Sequence, residues 1–238
     1  MAGITNGNFC RKMSSFGFDM VTLGGYNIDK PSIEAGCKII ARGRPEFEVA
    51  EENVLSNIKS QVNIVRSQNP WKGKVSVNLR ATSPEPIITV SKLDGVDVVE
   101  INTHCRQSEL VDAGCGQALL QNLTKLGDFI EEVVKNSGSK VSVKVRANVP
   151  GVDDFAVAEA VNNAGANYLH IDAMKPGYTC ADYNLIRSIK KNTDIFLIGN
   201  NSIRDLKSAR KMVDAGADGI SIARAAIGGE LPFDLARV

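Results

Sequence analysis

No two cysteines of this chain stand in a C-x-x-C spacing, and the five at positions 10, 37, 105, 115 and 180 form no zinc-ligand pattern. A structural zinc module is therefore excluded, and no metal site is expected. An odd number of scattered cysteines, with no targeting segment, points to reduced thiols and an expected cytoplasmic location. No apolar run is long enough to span a bilayer, so no membrane partner is expected. The net charge of +1 gives no global basic signal for nucleic acid, although a local basic face remains open. No G-x-G-x-x-G turn follows any candidate strand, which removes the dinucleotide fingerprint of an open doubly wound sheet.

What is present is a repeat of two patterns. Short Val/Ile-rich runs predict strands at 19–25, 74–80, 96–102, 140–146, 167–173, 194–200 and 218–224. They are apolar at successive positions or nearly so, as expected for strands covered on both faces. Amphipathic runs predict helices at 7–17, 47–68, 155–166 and 203–217, the longest with Val49, Val54, Ile58, Val62 and Val65 on one side. Gly165 and Gly216 fit helix C-terminal caps, and Pro84 is expected to open a helix with Ser83 as its N-cap. The 43% apolar content suffices for a sizeable core. The alternation predicts an α/β fold with a parallel sheet: a (β/α)8 TIM barrel in one domain, residues 1–238. Its first strand is expected to be shortened or missing, either lying before Met1 or squeezed into Met1–Ile4 ahead of the leading helix. The edges this leaves open need cover, and a homodimer is one way to supply it.

In such a barrel chemistry sits at the C-terminal ends of the strands. Those ends read Asn78 and Arg80, Asn102 and Cys105, Lys144 and Arg146, His170 and Asp172, Asn200 and Asn201, then Arg224. Amides and cations predominate and carboxylates are few, which suits an anionic ligand rich in hydrogen-bond acceptors. "IGNNSI" (198–203) and "ARAAIGG" (223–229) add backbone amides where barrels bind phosphate. The stretch "VEINTHCRQ" (99–107) passes from a buried strand into amide, imidazole, thiol and guanidinium groups, an unusual loop composition that marks a site. The basic loop "CKIIARGRPEF" (37–47), with Lys38, Arg42 and Arg44, reads as a solvated face or as a contact for nucleic-acid phosphates. Cys10 and Cys37 read as helix-packing residues; Cys115, in "GCGQALL", lies near the site without an obvious partner.

The ordered set of motifs resembles the flavin-dependent tRNA-dihydrouridine synthase family and, more distantly, the dihydroorotate dehydrogenases. "MAGITNGNF" resembles the family's "PMAGVTDxxFR", "EINTHCRQ...GCGQALL" its "xNxGCPxxxV...GxGAxLL", and "VSVKVR" its "VxVKxR". "YLHIDA" resembles "xxxHxRT", "IGNNSI" resembles "xGNGDI", and "GADGISIARAAIGG" resembles "GxDGVMIGRGAxGNP". The resemblance implies an FMN-binding oxidoreductase. In its terms Met1, Ala2 and Gly3 line the flavin ring, Asn78 bonds the ring edge, and Asn102 contacts flavin or substrate. Lys144 sits beside the flavin N1–C2 carbonyl end, and His170 also contacts the flavin. Asn200, Asn201, Ala223 and Arg224 hold the phosphate. Cys105 is the general acid that protonates one carbon of a uracil-type double bond, a task a thiol can perform near neutral pH. Arg146, Asp172 and Lys175 fall to the substrate.

The chain departs from the family pattern at His104 (Gly in the family), at Arg106 (Pro) and at Asp172, where the Arg-Thr pair is missing. The family's C-terminal helical domain is also expected to be absent. These departures bear on the substrate more than on FMN. The expected partner is therefore tRNA or a free pyrimidine, the latter by a dihydroorotate dehydrogenase-like reaction on a small unsaturated ring. The competing class is a non-catalytic barrel that binds a phosphorylated ligand.

Overall fold

The structure, a computed structural model, describes residues 1–67 and 70–238. Seven strands form one sheet: β1 (Met20–Asn27), β2 (Lys74–Arg80), β3 (Val98–Asn102), β4 (Lys140–Arg146), β5 (Tyr168–Asp172), β6 (Phe196–Asn200) and β7 (Gly219–Ser221). Their order in the sheet is their order in the chain, and every neighbouring pair is parallel. The helices are α1 (Gly7–Ser14), α2 (Lys30–Ala41), α3 (Val54–Arg66), α4 (Glu85–Ser91), α5 (Ser108–Asp112), α6 (Leu123–Asn136), α7 (Asp154–Asn163), α8 (Tyr183–Asn192) and α9 (Leu206–Asp214). A sheet wound in sequence order through such crossovers curls in one hand, because right-twisted strands and right-handed crossovers admit only that packing.

The strands alternate more than the sequence reading expects. Val75, Val77, Leu79, Val99, Ile101, Val141, Val143, Val145, Leu169 and Ile171 are buried in the apolar core against the helices. Full burial of each such side chain contributes roughly 1.5–3 kcal/mol. The residues between them, Ser76, Asn78, Glu100, Ser142, Lys144, His170 and Asp172, face inward, and most are buried. Two-sided burial is therefore correct, but one of the two faces is polar.

Helix starts follow local chemistry. Asp29 and Ser32 form a reciprocal capping box on α2, as Asp205 and Ser208 do on α9. Asn6, Asn122, Asp153 and Asp182 accept from first-turn amides of α1, α6, α7 and α8. Each such cap is worth about 1 kcal/mol. Gly165 and Gly216 follow the ends of α7 and α9 with φ of 78° and 102°, as a left-handed stop requires.

Three local expectations are corrected. The helix expected from residue 47 begins at Val54, because Phe47 is drawn off to pack on Tyr26 with ring centroids 4.7 Å apart; its expected last residue, Gln68, lies outside the described residues. Pro84 itself occupies the cap of α4, and Ser83 makes no capping bond. Cys37 is exposed on α2, whereas Cys10 is buried as expected.

Among the described residues no strand precedes β1. The chain from Met1 to Thr5 runs instead along the C-terminal end of β1, where Gly24 N donates to Thr5 O at 3.0 Å and the Met1 nitrogen donates to Gly24 O at 2.8 Å. Among the described residues β7 does not pair with β1; α1 packs on β1 and α3, its Phe9, Cys10 and Met13 line the cavity at the strand ends, and its Lys12 meets the post-β7 turn at Gly229. No helix among the described residues is long and apolar enough to cross a membrane.

Candidate active site

The inward polar residues converge on one cavity of about 700 Å³ at the C-terminal ends of the strands, within the roughly 300–1,000 Å³ usual for small-molecule sites. It is lined by Met1, Ala2, Asn78, Asn102, Cys105, Lys144, Arg146, His170, Asp172, Asn200, Asn201, Ala223 and Arg224. Two expected residues are not brought there. Gly3 turns away with φ 69° and packs against Pro45, and Lys175 lies outside, 4.0 Å from Asp182 and over the Tyr178 ring.

The floor is a hydrogen-bonded network centred on Glu100, a residue the sequence reading missed. Its carboxylate, 1% exposed, accepts from Asn78 Nδ2 at 2.7 Å and Ser142 Oγ at 3.1 Å, and it meets His170 Nδ1 at 2.7 Å. Burial by itself raises its pKa, but His170, Lys144 and Asn78 outweigh burial and hold Glu100 ionised. Burial lowers the pKa of His170, and the charge of Lys144 lowers it further. The ring is thus neutral, and its Nδ1–H donates to Glu100. That assignment leaves Nε2 a bare acceptor; it is buried, without a protein partner, and on a ring that lines the cavity.

Asn102 ends β3 and shapes the loop beyond. Its Oδ1 accepts from the amides of His104 at 3.1 Å and Cys105 at 2.9 Å, and its Nδ2 donates to Asn78 Oδ1 at 2.8 Å. The side chain is thereby committed to holding the loop. Cys105 is half-buried, with its Sγ 3.8 Å from Arg80 Nη1. Gly116 packs so closely beneath it that a Cβ there would stand 2.5 Å from Cys105 O. Arg80, 3% exposed, forms a buried ion pair with Glu46 and donates to Gly25 O at 2.6 Å. This pair ties the 44–47 segment to the site, which accounts for half of the basic loop. The other half is tied to α5, where Arg42 meets Glu109 at 2.6 Å. Cys115 is fully buried away from the cavity beside Leu110, and burial pushes its thiol up to about 12.

At the mouth a second hub gathers around Asp172. Its Oδ1 accepts from Asn201 Nδ2 at 2.6 Å; its Oδ2 lies 2.7 Å from His104 Nε2 and 3.2 Å from Arg146 Nη1. Burial works to raise the pKa of Asp172, but His104, Asn201 and Arg146 bring it down to about 2. His104 is shifted down, by burial first and then by the charges of Lys144 and Arg146, against the pull of Asp172. The hydrogen-bonding capacity of Asp172 is taken up by protein partners.

The far side of the cavity is different. Asn201 and Ser202 take positive φ of 105° and 54° just past β6, a turn that side chains rarely adopt. Among the described residues, the amides of Ser202, Ile203, Arg224 and Ala225 donate to no protein group. Lys144 and Arg224 likewise make no ion pair. A bare imidazole nitrogen, two unpaired cations and free backbone amides fit an anionic mononucleotide such as FMN.

A parallel, sequence-ordered α/β sheet with its polar groups gathered at the strand C-termini defines a TIM-barrel-like fold. The chain belongs to the dihydrouridine synthase (Dus) family, whose sequence profile matches residues 46–233. It is 34% identical to an uncharacterized protein of Methanocaldococcus jannaschii over 98% of this chain and 89% of that one. It is 27% identical to tRNA-dihydrouridine synthase B of Pectobacterium carotovorum over 84% of the chain, and 26% identical to that of Escherichia coli K12 over 81%. The chain spans 65% and 63% of those two proteins. Among solved structures it is similar in fold to FabK from Thermotoga maritima, with a TM-score of 0.60 and 16% identity over 94% of this chain and 56% of that one. 2,3-Dimethylmalate lyase matches with a TM-score of 0.61 and 15% identity over 94% and 75%.

Proposed function

We propose that this protein is an FMN-dependent oxidoreductase that reduces a uracil-type carbon–carbon double bond, with Cys105 as proton donor. One observation carries the reading. A single cavity joins Lys144, the bare Nε2 of His170, the unpaired Arg224 and the Cys105 loop, in a chain that the Dus profile matches over residues 46–233. Asn200, Asn201, Ala223, Arg224 and the free amides beside them would hold the phosphate. Asn78, Lys144, His170 and the Met1–Ala2 segment would hold the ring. FMN, once reduced by an external two-electron donor, would supply the hydride for one carbon of the double bond.

The chain's own residues do the rest. Lys144 places a cation beside the carbonyl end of the ring, where negative charge accumulates on reduction. The Glu100 network fixes His170 and Asn78 in place and would leave the Nε2 of His170 to meet the ligand. Asn102 holds the loop so that the Cys105 thiol delivers its proton to the second carbon of the double bond. The relatives named for tRNA make uridine in RNA the first substrate to test.

The test is in two stages. Purified protein titrated with FMN should acquire a bound-flavin absorption spectrum; failure to take up flavin sinks the reading and leaves a phosphate-ligand barrel. Reduced protein should then be reoxidised by a uridine-containing RNA or by a free pyrimidine. Cys105→Ala should take up and reduce flavin normally but reoxidise roughly 100- to 10,000-fold more slowly, the usual contribution of an acid–base group. Reoxidation of that variant at the wild-type rate removes Cys105 from the chemistry.

A further inference from the structure

His104 and Asp172 stand 68 residues apart in sequence and are each other's partner at the mouth of the cavity, Nε2 to Oδ2 at 2.7 Å. Asp172 belongs to the outer of two inward layers. Lys144 pairs in register with His170 below, and Arg146 with Asp172 above, so the two layers are one inward step apart, about 6–7 Å along the strands. The lower layer carries the groups assigned to the flavin ring. The upper layer is left to face whatever lies on top of it.

The chemistry of that upper layer is specific. Asp172 is ionised and accepts from Asn201, Arg146 and His104. A carboxylate can only accept, so a neutral His104 must donate through Nε2–H, which leaves Nδ1 unprotonated. Among the described residues no protein group bonds Nδ1. The ring is 30% exposed and lines the cavity, and Nδ1 is not among the buried unpartnered atoms. Beside it, Arg146 spends one nitrogen, Nη1, on Asp172 and keeps other donors free. The upper layer therefore offers an acceptor and a strong donor on two side chains that are both anchored on Asp172 Oδ2.

We propose that His104 is a specificity-determining residue: its Nδ1 accepts the ring N–H of an imide edge while Arg146 donates to the adjacent carbonyl. The inference rests on the functional reading above and deepens it by naming the ligand edge. The ligand class is a planar heterocycle with an O=C–N(H) unit, either as a free pyrimidine nucleoside or as uridine within RNA. Asp172 is the positioning residue that fixes the tautomer.

The experiment uses the full chain with FMN and four ligands: uridine, 3-methyluridine, and a hairpin RNA carrying one or the other at the same loop position. Binding is followed by the flavin absorbance change and, for the RNA, by fluorescence anisotropy. The wild type should bind the N3-methylated ligand at least about tenfold more weakly, since the methyl group removes the donor and leaves a desolvated acceptor. His104→Ala, checked for folding by thermal melting, should bind the unmethylated ligand about tenfold more weakly and no longer distinguish the pair. His104→Gln, which can donate to Asp172 and present an oxygen, should recover part of the discrimination. Discrimination among free nucleosides identifies a small-molecule substrate; discrimination confined to the hairpins identifies RNA. Discrimination that survives in His104→Ala, no discrimination in the wild type, or binding of none of the four overturns the proposal. Independently of flavin or ligand, ¹⁵N resonances of the His104 ring should show Nε2 protonated and Nδ1 bare at neutral pH. The opposite tautomer, or an imidazolium, overturns the proposal even where flavin binds, whereas absence of flavin uptake strikes only at the functional reading.

Discussion

Two walls of the same cavity are built from strands of the same kind and finish differently. On the β2–β5 wall, Asn78, Glu100, Asn102, Ser142 and Asp172 are consumed by one another and by their neighbours, at 2.6–3.2 Å. On the β6–β7 wall, among the described residues, Arg224 has no ion-pair partner and the amides of Ser202, Ile203, Arg224 and Ala225 donate to no protein group; β7 is three residues long and only half-buried. The first wall stabilises itself and fixes positions. The second is complete only with a ligand that brings its own negative charge. Stability should therefore rest chiefly on the first wall, and the phosphate's share of the affinity on the second.

The largest effect should come from breaking the self-contained wall at its centre. Glu100→Ala leaves the buried donors of Asn78, Ser142 and His170 without their shared acceptor and should lower unfolding free energy by about 3 kcal/mol or more, since each buried group left unsatisfied costs about 1–3 kcal/mol. Denaturant unfolding measures this; a loss under about 1 kcal/mol would mean that the network does not hold the wall. On the opposite wall Arg224→Ala should leave stability within about 0.5 kcal/mol while weakening FMN binding roughly 10- to 100-fold, the range for a charge-assisted bond to phosphate. Equal flavin affinity in a titration would remove Arg224 from the site.

Acid should act on the self-contained wall through Asp172. Its folded-state pKa of about 2 lies below its ordinary value of 3.8, so the stability it contributes is complete above about pH 4 and is lost as the pH falls towards 2. The contribution is on the order of 2 kcal/mol. Asp172→Asn should flatten the acid limb of a stability–pH profile in that window, and an unchanged limb counts against the hub. The smallest effect belongs to a cysteine near the site but outside it. Cys115 is buried and its thiol lies 3.3 Å from Leu110 O, so Cys115→Ala should cost about 1 kcal/mol of stability and leave turnover unchanged. A catalytic defect comparable to that of Cys105→Ala would contradict the assignment of Cys105.

Strand and helix periodicity, the capping glycines and the polar residues at strand ends were legible in the sequence, because each depends on local propensity or on the two-residue alternation of a strand. Of the cavity-lining residues, Asn78, Asn102, Cys105, Lys144, His170, Asn200, Asn201 and Arg224 were legible because sheet topology puts strand C-termini together, whereas Met1, Ala2 and Ala223 were expected there only from the family resemblance. Glu100 and Glu46 were not legible. A carboxylate inside a Val/Ile run, or within a basic loop, acquires meaning only from its partner, and those partners, His170 and Arg80, are 70 and 34 residues away. Asp172 was legible as a strand-end residue and His104 as the imidazole of the loop after β3, but that the two are partners 68 residues apart was not. Sequence determined which residues reach the mouth of the sheet. Tertiary structure alone decided which of them are spent on each other and which remain free to bind, because that depends on distances of a few ångströms between strands that the chain keeps far apart.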